Sequence, residues 1–175
     1  ALGDNLFYGA RLPEVLQQAA KRERGATVFA YRVRDPQRYG VVEFDEAGKA
    51  IGLEEKPARP RSPYAVTGLY FLDGSAPDKA ARVTPSARGE LEIVSVLEMY
   101  REEGGLTVET MGRGYAWLDT GTHGSLLDAG NFVRTLSERQ GQQVGLLDRA
   151  PPSATVRAVR DTTLDSFSAA TFEHL

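Results

Sequence analysis

The 175 residues contain no cysteine, which excludes disulfide bridges and cysteine-ligated zinc sites and agrees with a reducing compartment. The cytoplasm is therefore the expected location. Histidine is almost as scarce: His123 and His174 are the only two, and neither has a partner at metal-ligand spacing. A histidine-built zinc or catalytic centre is not expected, and His123 reads as a structural residue in the first turn of a helix. Long apolar runs are missing too, and no basic stretch followed by an apolar one opens the chain, so neither a membrane span nor a secretory leader is expected. Nor is there an excess of positive charge, with 21 Lys and Arg against 24 Asp and Glu and a formal net charge of −3. That balance disfavours a nucleic-acid duplex as partner, although a local basic cluster can still hold one phosphate. There is no GxSxG run, no Walker-type phosphate loop and no internal repeat, which removes serine-nucleophile hydrolases, P-loop NTPases, solenoids and propellers from consideration.

What is present is a chain of ordinary single-domain length with 41% hydrophobic residues, enough for a packed core. Leu12, Val15, Leu16, Ala19 and Ala20 recur at helical spacing, with Pro13 tolerated in the first turn and Gly25 available as a terminator. The nearly continuous apolar run from Ala26 to Val33 reads as a strand covered on both faces. A strand ending near Asp4, then this helix, then this strand implies a parallel crossover. Val41 to Asp45 and Ala50 to Glu54 flank Glu46-Ala47-Gly48-Lys49 and read as a hairpin with glycine where positive φ is needed. Further elements are expected as a strand over 64–72, helices over 75–83, 90–101 and 122–138, and a strand over 106–111. From about Leu146 paired prolines and many Ser, Thr and Ala residues replace any apolar stripe, so residues 146–175 are expected to form a poorly ordered tail and residues 1–145 the domain.

Several polar residues stand where chemistry is possible. Asp4 lies after an expected strand end, where open α/β sheets bind ligands, and suits Mg²⁺; it also suits a turn or cap. Asp119 is a second candidate, since magnesium in nucleotidyl transfer is held by one or two carboxylates plus substrate oxygens, but it can equally cap the helix that follows. Arg88, in Pro85-Ser86-Ala87-Arg88-Gly89-Glu90, precedes a helix expected near Leu91, where backbone N–H groups and a guanidinium can jointly accept a phosphate. Lys56 after Glu54 and Glu55 adds a point charge, though LEEKP also reads as a solvated cluster ending a strand. Trp117, taken alone, reads as a core residue.

In combination these pieces carry more. LGDN, LEEKP, PSARGELE and the run YAWLDTGTHGSLLDAGNF over residues 115–132 resemble the glucose-1-phosphate thymidylyltransferases. The resemblance covers residues 1 to about 143. It implies a Rossmann-like α/β nucleotidyltransferase core, a mixed and mostly parallel sheet flanked by helices, lacking its N-terminal portion, because the family's GGxGTR triphosphate loop and downstream lysine are absent from these residues. It implies Mg²⁺ on Asp4 and Asp119, and glucose 1-phosphate and dTTP as substrates. Asp4, Lys56, Arg88 and Asp119 take the catalytic roles, while Tyr39, Gly40, Glu55, Lys56, Val66, Gly68, Arg88 and Trp117 line the sugar pocket. Tyr8, Gly9, Gly112 and Arg113 match a second, inhibitory site for dTDP-sugars at subunit contacts, and a homo-oligomer, a tetramer in the resembling family, is implied. Leu91-Glu92-Ile93-Val94-Ser95 departs from the family's LEITD, at no residue given a chemical role. The isolated chain is expected to show little or no turnover. Two rival readings are a non-catalytic sugar-phosphate-binding or regulatory subunit, and a uridylyl or cytidylyl transferase.

Overall fold

The computed structural model describes residues 4–141, so the expected tail lies outside the described residues, as does the expected strand ahead of Asp4. Two compact units divide after Asp119. The first contains strands β1 (Asn5–Gly9), β2 (Ala26–Arg32), β3 (Gly40–Phe44), β4 (Ala50–Glu55), β5 (Tyr64–Leu72), β6 (Leu106–Met111) and β7 (Tyr115–Asp119). Its helices are α1 (Leu12–Ala20), α2 (Ala76–Ala80) and α3 (Ile93–Glu102), with a single 3₁₀ turn at Pro36–Arg38. The second unit holds α4 (His123–Gln140).

Five strands form a mixed sheet in the order β4-β3-β5-β2-β6, and β1 pairs with β7 as a separate antiparallel ribbon. The α/β class with a mixed sheet and flanking helices is as expected, but the expectation that pairing is mostly parallel is corrected. Among the described residues of this sheet only β2 and β6 run parallel, whereas β2–β5, β3–β4 and β3–β5 are antiparallel. For β3 and β4 the reason is connection length. A parallel neighbour needs a crossover of a dozen or more residues, whereas the short β3–β4 link with Gly48 at φ 79° can only reverse the chain.

β2 shows why its sequence is apolar throughout. Val28 and Ala30 face a core made with Val42, Leu53, Val66 and the α3 residues Val94, Leu97 and Tyr100. Phe29, between them, faces the opposite side, where Ala19 of α1 and Met111 meet Phe7, Leu16, Leu69 and Phe71. Alternation along one strand thus feeds two cores, one under each helix layer. Where β2 begins, Gly25 has φ 84°, and a Cβ there would lie 2.2 Å from the Gly105 carbonyl oxygen, so no larger residue fits. Its N–H donates to Asp73 Oδ2 at 2.6 Å, while Asp73 Oδ1 accepts from Ser75 N at 2.9 Å, Ser75 Oγ at 2.6 Å and Tyr100 Oη at 2.7 Å. One carboxylate therefore fastens the ends of β2 and β5 to α3.

Some boundaries moved. α2 is shorter than the expected 75–83, and α3 starts at Ile93 rather than at 90, because Gly89 at φ 78° and an extended Glu92 hold that stretch as a loop. α4 opens with Thr122, whose Oγ1 accepts from Ser125 N at 3.2 Å while Ser125 Oγ accepts from Thr122 N at 3.1 Å, a reciprocal cap.

Candidate active site

β3 and β4 bring Gly40 and Glu55 opposite each other. A Cβ on Gly40 would approach Glu55 Oε2 to 3.0 Å, Val94 Cγ2 to 2.8 Å and Val66 Cβ to 4.0 Å, so the glycine leaves the room that this carboxylate occupies. Two cations converge on Glu55 Oε1, Lys56 Nζ and Arg88 Nη1, each at 3.9 Å. Burial pushes the Glu55 carboxyl above its ordinary range and nearby Glu92 adds to this, while Lys56 and Arg88 pull it back. Lys56 adopts φ 42°, a left-handed conformation uncommon for a residue with a side chain, and its N–H donates to the Tyr39 carbonyl at 3.0 Å. Backbone strain of this kind collects where a side chain must point in one direction.

Arg88 precedes α3, as expected, at a greater distance because the helix starts later. It lies in the loop before α3, and its guanidinium contacts Glu92 and Glu90, both at 3.2 Å. Ser86 Oγ donates to the same Glu92 carboxylate at 3.0 Å and accepts from Arg88 N at 3.2 Å. A phosphate reaching Arg88 must exchange with these carboxylates.

A second group forms where the β1–β7 ribbon approaches the sheet. Register sets Asn5 opposite Asp119, which brings Asp4 and Asp119 to the same end of the ribbon. Asn5 Nδ2 donates to Asp4 Oδ1 at 2.9 Å, and Asn5 Oδ1 accepts from Trp117 Nε1 at 2.6 Å. The amide lies over Gly68, where a Cβ would come within 2.6 Å of Nδ2. The Tyr39 ring stands 5.1 Å from that of Trp117 at an interplanar angle of 59°. Burial raises the Tyr39 hydroxyl above its ordinary value, Arg38 opposes this, and Asp119 raises it further by its charge and as hydrogen-bond acceptor. Tyr70 connects the two groups electrostatically: burial first, then Glu55 and Asp4, push its hydroxyl up to about 12.

Tyr8 and Gly9 lie toward the other end of β1, about 13 Å along the ribbon at ~3.3 Å per residue. There Gly9 faces the turn that carries Gly112 and Arg113: a Cβ on Gly9 would meet Tyr115 Cδ1 at 2.3 Å and the Gly114 oxygen at 3.0 Å.

Asp4 and Asp119 are a donor set of the kind Mg²⁺ accepts, one or two carboxylates completed by substrate oxygens. No group of three or more His, Cys, Asp or Glu that could enclose a metal occurs among the described residues.

Sequence reasoning passed over Asn5, Arg38 and Glu92. Asn5 was in plain view within LGDN, and Arg38 within DPQRYG, one residue before Tyr39. Arg38 Nη2 is 3.8 Å from Asp119 Oδ2, its Nη1 is 3.0 Å from Asp35 Oδ2, and its guanidinium carbon is 5.3 Å from the Tyr39 ring centroid.

Residues 1–135 match the sequence profile of a family described as Nucleotidyl transferase. The chain belongs to the nucleotidyl transferase family. Over 143 residues it is 59% identical to the glucose-1-phosphate thymidylyltransferase of Xanthomonas campestris pv. campestris (strain B100), covering 82% of this chain and 48% of that protein. It is 54% identical over 147 residues to the enzyme of the same name from Neisseria meningitidis serogroup A, covering 84% of this chain and 51% of that one. A solved Bacillus anthracis structure, described as a glucose-1-phosphate thymidylyltransferase in complex with sucrose, superposes with a TM-score of 0.64 at 41% identity, over 76% of this chain and 52% of that one. A UDP-glucose pyrophosphorylase with UDP-glucose bound, at TM-score 0.65 and 20% identity, shares the fold. The chain spans about half the length of the curated relatives it matches. Among the described residues no helix is long and apolar enough to cross a membrane.

Proposed function

We propose that these residues form the sugar-phosphate and metal side of a nucleotidyl transfer site. The phosphate oxygen of glucose 1-phosphate attacks the α-phosphorus of dTTP, pyrophosphate leaves, and dTDP-glucose forms, a step that feeds dTDP-rhamnose synthesis. What carries the reading is the convergence of Lys56 and Arg88 on Glu55, whose carboxylate occupies the room that Gly40 leaves. A phosphate monoester has a second pKa near ~6, so the nucleophile is already anionic and needs no general base. The task is charge neutralisation and alignment, which Arg and Lys perform by electrostatics and the pocket by orientation. Lys56 and Arg88 hold the phosphate, Glu55 accepts from sugar hydroxyls, Gly40, Val66 and Gly68 line the sugar pocket, and Tyr39 and Trp117 wall the ring. Asp4 and Asp119 hold Mg²⁺, which when bound neutralises charge shared between the two substrates.

The sequence contains no GGxGTR loop to cradle a triphosphate, so the isolated 175-residue chain binds glucose 1-phosphate without making appreciable dTDP-glucose. Binding without turnover is also what a sugar-phosphate-binding or regulatory subunit would show, and co-purification with a longer paralogue would favour that alternative. The choice of thymine over uracil or cytosine rests on likeness to the relatives, and competition among dTTP, UTP and CTP on a longer protein decides it. A second, inhibitory dTDP-sugar site at Tyr8, Gly9, Gly112 and Arg113 is supported by their gathering at the ribbon end away from Asp4. Calorimetric titration of glucose 1-phosphate against Arg88→Gln tests the central reading: affinity should fall about tenfold, as for loss of one charged hydrogen bond. Unchanged affinity in Arg88→Gln and Lys56→Gln alike would refute it.

A further inference from the structure

Arg38 is bound from two sides. The 3₁₀ turn Pro36–Arg38 folds its side chain back onto Asp35, with Nη1 at hydrogen-bond distance, 3.0 Å, from Oδ2. Nη2 meanwhile stands 3.8 Å from Asp119 Oδ2, an ion-pair distance too long for a hydrogen bond. The next residue, Tyr39, sets its ring 5.1 Å from that of Trp117 at an angle of 59°, feels the Asp119 charge at its hydroxyl, and accepts the Lys56 N–H with its carbonyl. One dipeptide thus touches the carboxylate assigned to the metal, the aromatic wall and the backbone of the phosphate-holding lysine. The arginine side chain is 45% exposed and the Asp119 side chain 23%, so the guanidinium lies on the solvent side of the pair, free to swing away.

We propose that Arg38 is the built-in counter-charge of Asp119, a positioning residue that holds the carboxylate while the cation is absent and competes with a divalent cation for it. Asp35 sets the strength of that competition by holding Arg38 just short of full contact. The inference rests on the reading of Asp119 as a metal-holding carboxylate. It differs from that reading in sign: removing a neighbour of the site strengthens cation binding.

The test uses Mn²⁺ as probe, with free ion counted by electron paramagnetic resonance on the purified 175-residue chain saturated with glucose 1-phosphate. Arg38→Gln should bind Mn²⁺ about threefold more tightly than wild type, as for loss of one partly exposed charge pair. Arg38→Lys should fall between, and Asp35→Asn, which releases Arg38 toward Asp119, should bind more weakly. Arg61→Gln removes the same formal charge at an arginine paired with Glu43 and should leave affinity unchanged. Trp117 emission, from the only tryptophan, reports whether the wall beside Asp119 stays in place in each variant. Unchanged or weaker Mn²⁺ binding in Arg38→Gln overturns the inference while Asp119→Asn still abolishes binding in the same assay. No specific Mn²⁺ binding to the wild type sinks the metal reading, and the inference with it.

Discussion

At the residue scale, the site spends stability on function. Glu55 has its carboxyl raised by burial and by Glu92, so the folded state holds its proton more tightly than the unfolded chain does. Below the unfolded value the group is neutral in both states; as pH rises through the window between unfolded and folded values, the folded state loses stability. Glu55→Gln should therefore be as stable as wild type or more so at neutral pH, while losing affinity for glucose 1-phosphate. Urea titrations at two pH values check the first half and calorimetry the second; a variant clearly less stable at neutral pH would contradict it. Gly68→Ala makes the opposite point. Its new methyl would lie 2.6 Å from Asn5 Nδ2, so the amide must move and the Trp117 Nε1 hydrogen bond with it. Overpacking of this kind costs about 1–3 kcal/mol. The single tryptophan should change its emission in that variant, and an unaltered spectrum would mean that Asn5 does not hold the ring.

At the element scale, local signals were legible and distant ones were not. α1, β2 and the β3–β4 hairpin follow from periodicity and from glycine at a turn, and they lie close to where the sequence places them. β1 and β7 were not foreseen as strands, because each is only five residues long and neither is buried enough to write a clear pattern. Their pairing sets Asn5 against Asp119 across most of the chain, information no local window holds. For the same reason Asp4 and Asp119 were candidates that could equally be caps until the resemblance joined them, while Arg38 went unread despite lying inside a quoted motif: its partner Asp119 is remote in sequence. The Asp73 junction belongs to this scale as well. Burial alone would raise its carboxyl, but donors from Ser75, Tyr100 and Gly25 win and hold it well below the usual carboxylate range. A depressed folded value contributes stability that is present above the unfolded pKa of ~3.9 and is lost as pH falls below it. Asp73→Ala should cost roughly 3 kcal/mol at neutral pH, since it strands several donors at one junction. Acidification to about pH 3 should then shrink the gap between variant and wild type. A gap that stays constant with pH would show that Asp73 acts without its charge.

At the scale of the whole molecule, several large apolar side chains stand exposed among the described residues. Leu91 is 68% exposed in the loop beside Arg88, Ile51 is 46% exposed on β4, and Leu126 and Leu127 of α4 are 56% and 66% exposed. Scattered exposed leucines mean little, but two in succession on α4 add to the apolar surface that favours association. Self-association is the expected result: mass by light scattering should rise with protein concentration, and Leu126→Glu combined with Leu127→Glu should reduce that rise without altering glucose 1-phosphate affinity, because neither residue is assigned to the pocket. A sharp monomer at every concentration, with a cooperative thermal transition, would show instead that the two cores around β2 stabilise the chain unaided and that its apolar surface is tolerated.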